Sequence, residues 1–385
     1  MLRTTWTIKA SKLCNLRCRY CYEWNELGDP ARLSLPEWGK IFRAIRRASE
    51  LQSQRLGVPV KAQIVWHGGE PLLLPDDYLR AVLALEEEIL GRDALHAGTY
   101  MNAIQTNLYK LTEEKLALLK EGRFHVGVSM DLAGGVRLTA GGQRTEQRVA
   151  ENMDRLARAS IPFGAITVLA GHTVKHLRAI YDFMESLNLS FRVLPLFAAP
   201  LNTPGASFAV SNEEMAAALC DLFLYWLERD FSVTVAPLKH YLQTALLQIH
   251  GLESTPWRRR EHGDGVLIVN TDGSLYQVID AYEEGKALGN LFHQPIEEIL
   301  ASEAYAASLD RNDALEAEHC AACAFRDTCT HGPVFESRMA NLPGGRCAVA
   351  YAVQDFIGNH LRHIGFDASA LRELELREDG ALAVS

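Results

Sequence analysis

The sequence predicts an α/β protein: a partial (β/α)6 TIM barrel followed by a smaller C-terminal domain. Three observations carry this. Short β-like runs alternate with amphipathic helical runs through the first half, the pattern of βαβ units on a parallel sheet. A stretch rich in Pro, Asn, Gly and Ser, at residues 198–211, then closes that alternation. Further on, Asp272-Gly273 splits VLIVNTDGSLYQV into two β-like runs, a strong hairpin signal.

The β-like runs fall at 5–10, 63–66, 99–105, 125–130, 163–169 and 191–195. Six of them fit a partial barrel better than a full eight-stranded one. Helical runs at 36–49, 76–90, 112–121, 146–159 and 174–187 lie between them. Ser34 and Glu37 have capping-box spacing, and Thr112 is followed by Glu113 and Glu114 in a first turn. A helix at 212–229 follows the loop, and the charged segment 257–265 marks a second junction. The expected division is a barrel at 1–210, a helical linker at 211–260, a cysteine-bearing domain at 261–365 and a charged tail at 366–385. In such a barrel the chemistry sits at the C-terminal ends of the strands.

The chain has 385 residues, 48% of them hydrophobic and 23% charged, a globular rather than a disordered composition. Its net charge of −9 counts against wrapping nucleic acid by phosphate neutralisation. The N-terminus MLRTTWTIKA lacks the apolar core of a secretory signal, and no stretch approaches 18 apolar residues. A cytoplasmic protein with no membrane segment is expected. Tight cysteine spacings there read as metal or cluster ligands before disulfides.

The eight cysteines are bunched at Cys14, Cys18 and Cys21 and at Cys320, Cys323, Cys329 and Cys347, with Cys220 alone. Cys14, Cys18 and Cys21 follow the first strand directly, on the first βα loop. Three thiolates do not complete a four-cysteine tetrahedral site. They can hold three irons of a [4Fe–4S] cube and leave the fourth open; a zinc site borrowing a fourth ligand is the alternative. The four late cysteines can close a structural zinc site or ligate an iron–sulfur cluster, and spacing alone does not decide. Cys220, within MAAALCDLFLYW, reads as packing.

The CxxxCxxC loop, with Tyr20 before its last cysteine, resembles the signature of the radical S-adenosylmethionine (SAM) enzymes. Further pieces fit in order: His67-Gly68-Gly69-Glu70-Pro71 after the second strand, Gln105-Thr106-Asn107 ending the third, and Ser129-Met130-Asp131 ending the fourth. The resemblance covers about residues 1–195 and implies a barrel of the radical SAM type. It implies a [4Fe–4S] cluster on Cys14, Cys18 and Cys21, whose open iron chelates SAM. Reductive cleavage of SAM then yields methionine and a 5′-deoxyadenosyl radical. Gly68, Gly69, Glu70 and Pro71 would bind the SAM amino group. Tyr20, Thr106, Asn107, Ser129, Asp131 and Arg144 would complete the cofactor pocket. Asp131, Glu70 and His67 are candidate bases. The acidic stretch 86–88 reads as a solvated helix face. Arg137 and Arg144 read as surface ion-pair partners more readily than as ligands of a carboxylate. Trp24, Trp66 and Tyr276 could stack on an aromatic substrate or belong to the core.

The late cysteines resemble the SPASM extension of radical SAM peptide maturases, which holds two auxiliary [4Fe–4S] clusters. Cys320, Cys323, Cys329 and Cys347 match the second auxiliary cluster as a set. Gln277 and Val278 stand where a cysteine should follow the Gly273 turn. Residues 262–265 lack a cysteine, and Pro333 occupies a third expected position. Two clusters in total are therefore expected, not three.

Closer similarity points to the cyclophane-forming maturases. Asp131–Arg137, Gly141-Gly142, Asn152-Met153 and the opening CNLRCRYCYEWNELG resemble their Xye-type group. That implies a ribosomally made precursor peptide as substrate. It also implies a bond from an aromatic ring carbon to the β-carbon of a residue two positions later. Such a bond removes two electrons and two protons, and the auxiliary cluster is the expected acceptor of the electron the radical does not take. The resemblance also implies an external flavodoxin- or ferredoxin-like reductant. With 13 residues before Cys14, leader capture is expected from barrel loops, the C-terminal domain or the tail. The alternatives are sulfatase-maturing dehydrogenation, thioether formation, epimerisation, or a zinc-stabilised binding module without catalysis.

Overall fold

The computed structural model describes residues 2–196, 205–252, 265–277, 285–329 and 347–365. The charged tail, Val278, Pro333 and residues 262–264 lie outside them.

The first half is a run of βα units. In chain order these are β1 (Leu2–Ser11), α1 (Leu35–Leu56), β2 (Val60–Gly68), α2 (Asp76–Leu90), α3 (Arg92–His96), β3 (Tyr100–Thr106) and α4 (Glu113–Glu121). There follow β4 (His125–Ser129), α5 (Glu146–Arg158), β5 (Phe163–Leu169), α6 (Leu177–Ser186) and β6 (Phe191–Pro195). Neighbouring strands pair in parallel from β1 to β6. The caps that the sequence announces are formed. The Ser34 hydroxyl accepts from the Glu37 amide while the Glu37 carboxylate accepts from the Ser34 amide, and Thr112 accepts from Lys115.

The sheet has two unlike faces. Trp6, Ile8, Ile64 and Trp66 point outward and are fully buried. The Trp66 ring lies 4.6 Å from Trp38 of α1 and 5.2 Å from Phe124, so Trp66 is core and not a substrate platform. The alternate residues Thr5, Thr7, Gln63, Val65, Gln105, Ser129, Ile166 and Arg192 face inward and are only half-buried. Period-two alternation thus seals the outer face under helices and leaves a polar, partly open lumen.

The sheet extends beyond the six expected strands. After α7 (Asn212–Glu228), β7 (Val235–Ala236) adds to β6 in parallel, and α8 (Leu238–Ile249) follows. At the other edge β8 (Val266–Val269) pairs in parallel with β1, matching Thr5 to Val266 and Ile8 to Val269. The hairpin at Asp272-Gly273 is formed: β9 (Ser274–Gln277) runs antiparallel to β8, with Gly273 at φ +84°. β10 (Gly289–Asn290) closes the order β10-β9-β8-β1-β2-β3-β4-β5-β6-β7.

The last described elements are the helices α9 (Ile296–Leu300), α10 (Glu303–Cys320) and α11 (Ala348–His363). The helix expected at 212–229 packs on this last helix, Phe223 meeting His360 edge-on at 6.3 Å. Among the described residues no helix is long and apolar enough to cross a membrane.

Candidate active site

The three early cysteines sit on the loop after β1, and the β2–β3 side of the barrel determines its path. The Gly69 amide donates to Ser11 O and the Glu70 amide to Leu13 O, both at 2.9 Å. A Cβ on Gly68 would stand 2.1 Å from Ser11 O. One on Gly69 would stand 2.2 Å from Lys12 O and 2.4 Å from Leu13 O. Only glycine lets these two backbones touch. The glycines therefore carry the β1–β2 pairing past the strand end and into the cysteine loop.

Glu70 locks the same corner. Its buried carboxylate accepts from the Leu72 amide (2.9 Å), the Thr106 hydroxyl (2.7 Å) and the Asn107 amide (2.7 Å). Burial pushes its pKa up against those three bonds. Pro71 is buried at the start of a single 3-10 turn. Asn107 reaches across to Asn15 at 2.9 Å and to Cys14 Sγ at 3.7 Å. Gln105 donates to the Ser129 hydroxyl at 2.8 Å.

The segment after β4 covers the other side of the loop. The Arg17 amide donates to Leu138 O and the Arg19 amide to Val136 O, and Leu16 bridges Thr139. Beneath it lies a buried network. The Tyr20 hydroxyl donates to Asp131 Oδ2, Arg137 Nη1 donates to Tyr20 Oη at 2.7 Å, and the Val168 amide donates to Asp131 Oδ1 at 2.9 Å. His172 stacks on Tyr20 with ring centres 5.1 Å apart, and its Nε2 lies 3.7 Å from Asp131 Oδ2. Burial raises the Asp131 pKa. The His172 ring, the Arg137 charge, the Tyr20 hydroxyl and the Val168 amide outweigh it and hold the carboxyl below its ordinary value.

Two sequence readings change here. Arg137 is not a surface partner: its side chain is 7% exposed, at 3.7 Å from Asp131. Glu86, read as part of a solvated face, is buried on the outer side of the sheet and bonded to Asn102 at 2.7 Å. Arg144, by contrast, stands apart from the network, 71% exposed and 3.9 Å from Glu146. The pairing of Lys9 with Glu23, both buried, was not anticipated. It ties the cysteine loop to the inner face of β1, where Lys9 is in register with His67. His172 was also missed, although a histidine just past a strand end in VLAGHT occupies a position where barrel chemistry gathers.

Among the described residues no group of three His, Cys, Asp or Glu side chains closes on a single ion, so the fit of a cluster rests on loop placement and donor chemistry. Cys14, Cys18 and Cys21 are half-buried on one loop. Burial, then the nearby Glu70 charge, pushes the Cys14 thiol up to about 12. Burial, then Cys18, pushes Cys21 up to about 12. Such thiols ionise when a cationic centre binds between them.

The late cysteines gather at the end of α10 and the start of α11. The Cys320 thiol is pushed up to about 12 by burial, with Glu316, Cys323 and Cys329 adding to it. Phe325, 2% exposed, meets Tyr351 edge-on at 5.6 Å, and Gln354 Nε2 reaches Cys329 Sγ at 3.8 Å. These contacts bring the 320–329 turn to the helix that Cys347 caps. Cys320 thus lies beside Cys323 and Cys329, while among the described residues the late cysteines do not close on a single ion. Gln277, where the family pattern calls for a cysteine nearby, is fully buried. Its carbonyl accepts from Ser308 and, at 3.0 Å, from Asn312. Cys220 is half-buried against the core.

Residues 8–184 match the family model of the Radical SAM superfamily. Over those residues the barrel is similar to a radical SAM domain. Relatives extend over more of the chain. The Cysteine-type anaerobic sulfatase-maturating enzyme of Clostridium novyi is 23% identical over 303 residues, covering 74% of this chain and 78% of the relative. The Serine-type anaerobic sulfatase-maturating enzyme of Klebsiella aerogenes is 24% identical over 298 residues, covering 74% and 68%. Among solved structures, native anSMEcpe with bound AdoMet superposes with a TM-score of 0.73 at 18% identity, over 94% of this chain and 97% of that one. Streptococcus suis SuiB bound to precursor peptide SuiA gives 0.59 at 15% identity, over 86% and 72%. The shared fold of radical SAM core and C-terminal extension thus spans nearly the whole chain.

Proposed function

We propose that this protein is a radical SAM peptide maturase that joins an aromatic ring carbon of a precursor peptide to the β-carbon of a nearby residue. The observation that carries the reading is the pairing of two thiol groups on one sheet. Three thiols lie at the mouth of a polar, half-open lumen, and four lie on the extension that continues the same sheet through β8. The sulfatase-maturating relatives and the peptide-bound SuiB structure support a peptide or protein substrate. The local similarity of the Cys14–Gly28 and Asp131–Arg137 segments to cyclophane-forming enzymes supports the crosslink.

Cys14, Cys18 and Cys21 would hold the SAM-binding [4Fe–4S] cluster, and Cys320, Cys323, Cys329 and Cys347 an auxiliary one. With SAM bound, the first supplies a 5′-deoxyadenosyl radical able to remove one hydrogen atom. The chain's own contribution is placement. Gly68 and Gly69 fix the loop, and Glu70 with Asn107 orients its rim. Tyr20, His172 and Phe208 form an aromatic wall, the Phe208 ring 5.5 Å from His172. Asp131 is engaged by Tyr20 and the Val168 amide and held ionised. It therefore organises the wall beside Arg137 rather than taking a substrate proton. Closing the ring removes two hydrogens: the radical would take one as an atom, and the auxiliary cluster would accept the electron of the other while a base takes its proton; the initiating electron would come from a flavodoxin- or ferredoxin-like donor.

The test is co-expression with a candidate precursor, followed by anaerobic assay and mass spectrometry. The expected product is lighter by two hydrogens and silent to fragmentation across the crosslinked residues. Unchanged mass, or a colourless protein loaded with zinc, refutes the reading. Cys323→Ala is expected to retain SAM cleavage and lose crosslinked product; normal product formation would make the late thiol group dispensable. Sulfatase-type dehydrogenation is the second reading, favoured by the named relatives; its product also loses two hydrogens but fragments throughout.

A further inference from the structure

Among the described residues Lys9, Asp131 and Glu70, which face the lumen, are each paired off. Lys9 is bound by Glu23. Asp131 is held by Tyr20 and flanked by Arg137, and Glu70 is consumed by one hydroxyl and two backbone amides. Arg192 has no counterpart of this kind. It lies on β6, on the inner face of the sheet, in a row that the strand pairing spells out: Ser129 opposite Ile166, Ile166 opposite Arg192, Arg192 opposite Ala236. Its flanking inward neighbour on β6 is Leu194. Among the described residues no carboxylate, carbonyl or hydroxyl accepts a bond from it. Burial pulls its pKa down with nothing opposing. His240, beside it, is itself pushed down to about 4 by burial and then by the Arg192 charge. Residues 197–212, which follow β6, contain no Asp or Glu.

A half-buried guanidinium on the lumen wall, with no acceptor among the described residues, is free to pair with an anion, and a protein of net charge −9 has carboxylates in excess to supply one of its own. The missing partner is therefore an anion that enters the lumen. Arg192 stands two strands from Ser129, about 9.6 Å at ~4.8 Å per strand spacing. That is roughly the span of three residues of extended peptide. We propose that Arg192 is a specificity residue that binds the carboxylate of an Asp or Glu in the substrate peptide, within three residues of the one modified. This rests on the peptide-maturase reading and deepens it. The planar fork of Arg suits a bidentate grip on a carboxylate.

The probe is a pooled library of acetylated, amidated nonapeptides with one central aromatic residue. The three positions on either side vary between Glu and Gln. Retention on anaerobically reconstituted, SAM-loaded enzyme is read by mass spectrometry, and SAM affinity is measured separately by equilibrium dialysis. Wild-type protein is expected to enrich Glu over Gln at one position by roughly tenfold, the effect of a charge-assisted bond. Arg192→Gln should lose that preference while binding SAM as wild type does; Arg192→Lys should keep part of it. Retention without a Glu preference, or a preference that survives in Arg192→Gln, overturns the assignment alone. So does a matching loss of SAM affinity in Arg192→Gln with the Glu preference intact, which would give the guanidinium to the cofactor's carboxylate. Retention of no peptide at all overturns this assignment together with the peptide-maturase reading.

Discussion

Glu86 is a buried carboxyl remote from the lumen, and it makes a measurable claim about stability. Its Oε2 accepts from Asn102 Nδ2 at 2.7 Å, and Asn102 Oδ1 in turn accepts from Trp66 Nε1 at 3.1 Å. Its Oε1 is buried with no partner among the described residues. Burial pushes its pKa from 4.5 up to about 7, against the Asn102 bond. The folded protein therefore keeps a proton that the unfolded chain releases. The stabilising contribution is complete below about pH 4.5, declines as pH rises, and is gone above about pH 7. At about 1.4 kcal/mol per pH unit, the swing is about 3 kcal/mol. Glu86→Gln removes the titration and leaves the Asn102 bond possible. Urea unfolding under anaerobic conditions, followed by tryptophan fluorescence, reads this directly, since Trp66 and Trp38 sit in the same stack. The variant should match wild type near pH 5 and exceed it by about 1–3 kcal/mol at pH 8. A difference that stays constant between those pH values, or a variant less stable at pH 8, would refute the reasoning.

Gly69→Ala tests the backbone contact under the cysteine loop. Its Cβ would fall 2.2 Å from Lys12 O and 2.4 Å from Leu13 O, and backbone oxygens cannot swing away, so the loop must move. Iron content and visible absorbance after reconstitution should drop by about the share of one cluster, while the late thiol group keeps its own; full iron loading would contradict the contact. Tyr20→Phe removes the hydroxyl between Asp131 and Arg137. Loss of bonds to two buried charges should cost about 1–3 kcal/mol in the same urea assay, and Tyr20→Phe unfolding like wild type would count against the network.

The six βα units were legible because their signals are local. Apolar residues recur with helical or strand period between the runs, and Ser34, Glu37 and Thr112 mark helix starts by chemistry that needs no distant partner. The remaining helices were hidden for physical reasons. The helix Glu303–Cys320, EAYAASLDRNDALEAEHC, is rich in Ala and charge and lacks a wide apolar stripe. The helix Leu238–Ile249 is short, and its strand Val235–Ala236 is two residues long. In the site, the cysteine loop and the Gly-Gly-Glu-Pro turn announced themselves through spacing. The network did not: Tyr20 meets Asp131 across 111 residues and Arg137 across 117, and only the fold of the loop after β4 brings them together. Composition likewise cannot tell Glu86 from Glu88, since two helical steps separate a buried carboxyl from an exposed one.

The way the C-terminal extension attaches bears on what the two thiol groups can do together. A tethered domain would let their separation vary with the linker. Here β8 pairs with β1 over four residues, Thr5 to Val266 through Ile8 to Val269, and Thr271 Oγ1 donates to Lys9 O at 3.1 Å. Lys9 is the residue whose ammonium binds Glu23 on the early cysteine loop. One strand thus carries backbone bonds to the extension on one side and to the cysteine-loop support of β2 on the other. At the far end of the hairpin, Gln277 is pinned by Ser308 and Asn312 of α10, the helix that ends at Cys320. A hydrogen-bonded amide therefore anchors α10 near the point where a cysteine ligand would otherwise stand. The path from Cys14 to Cys320 runs through sheet pairing and a buried polar contact rather than through a flexible joint, so the spacing of the two groups is a property of the fold.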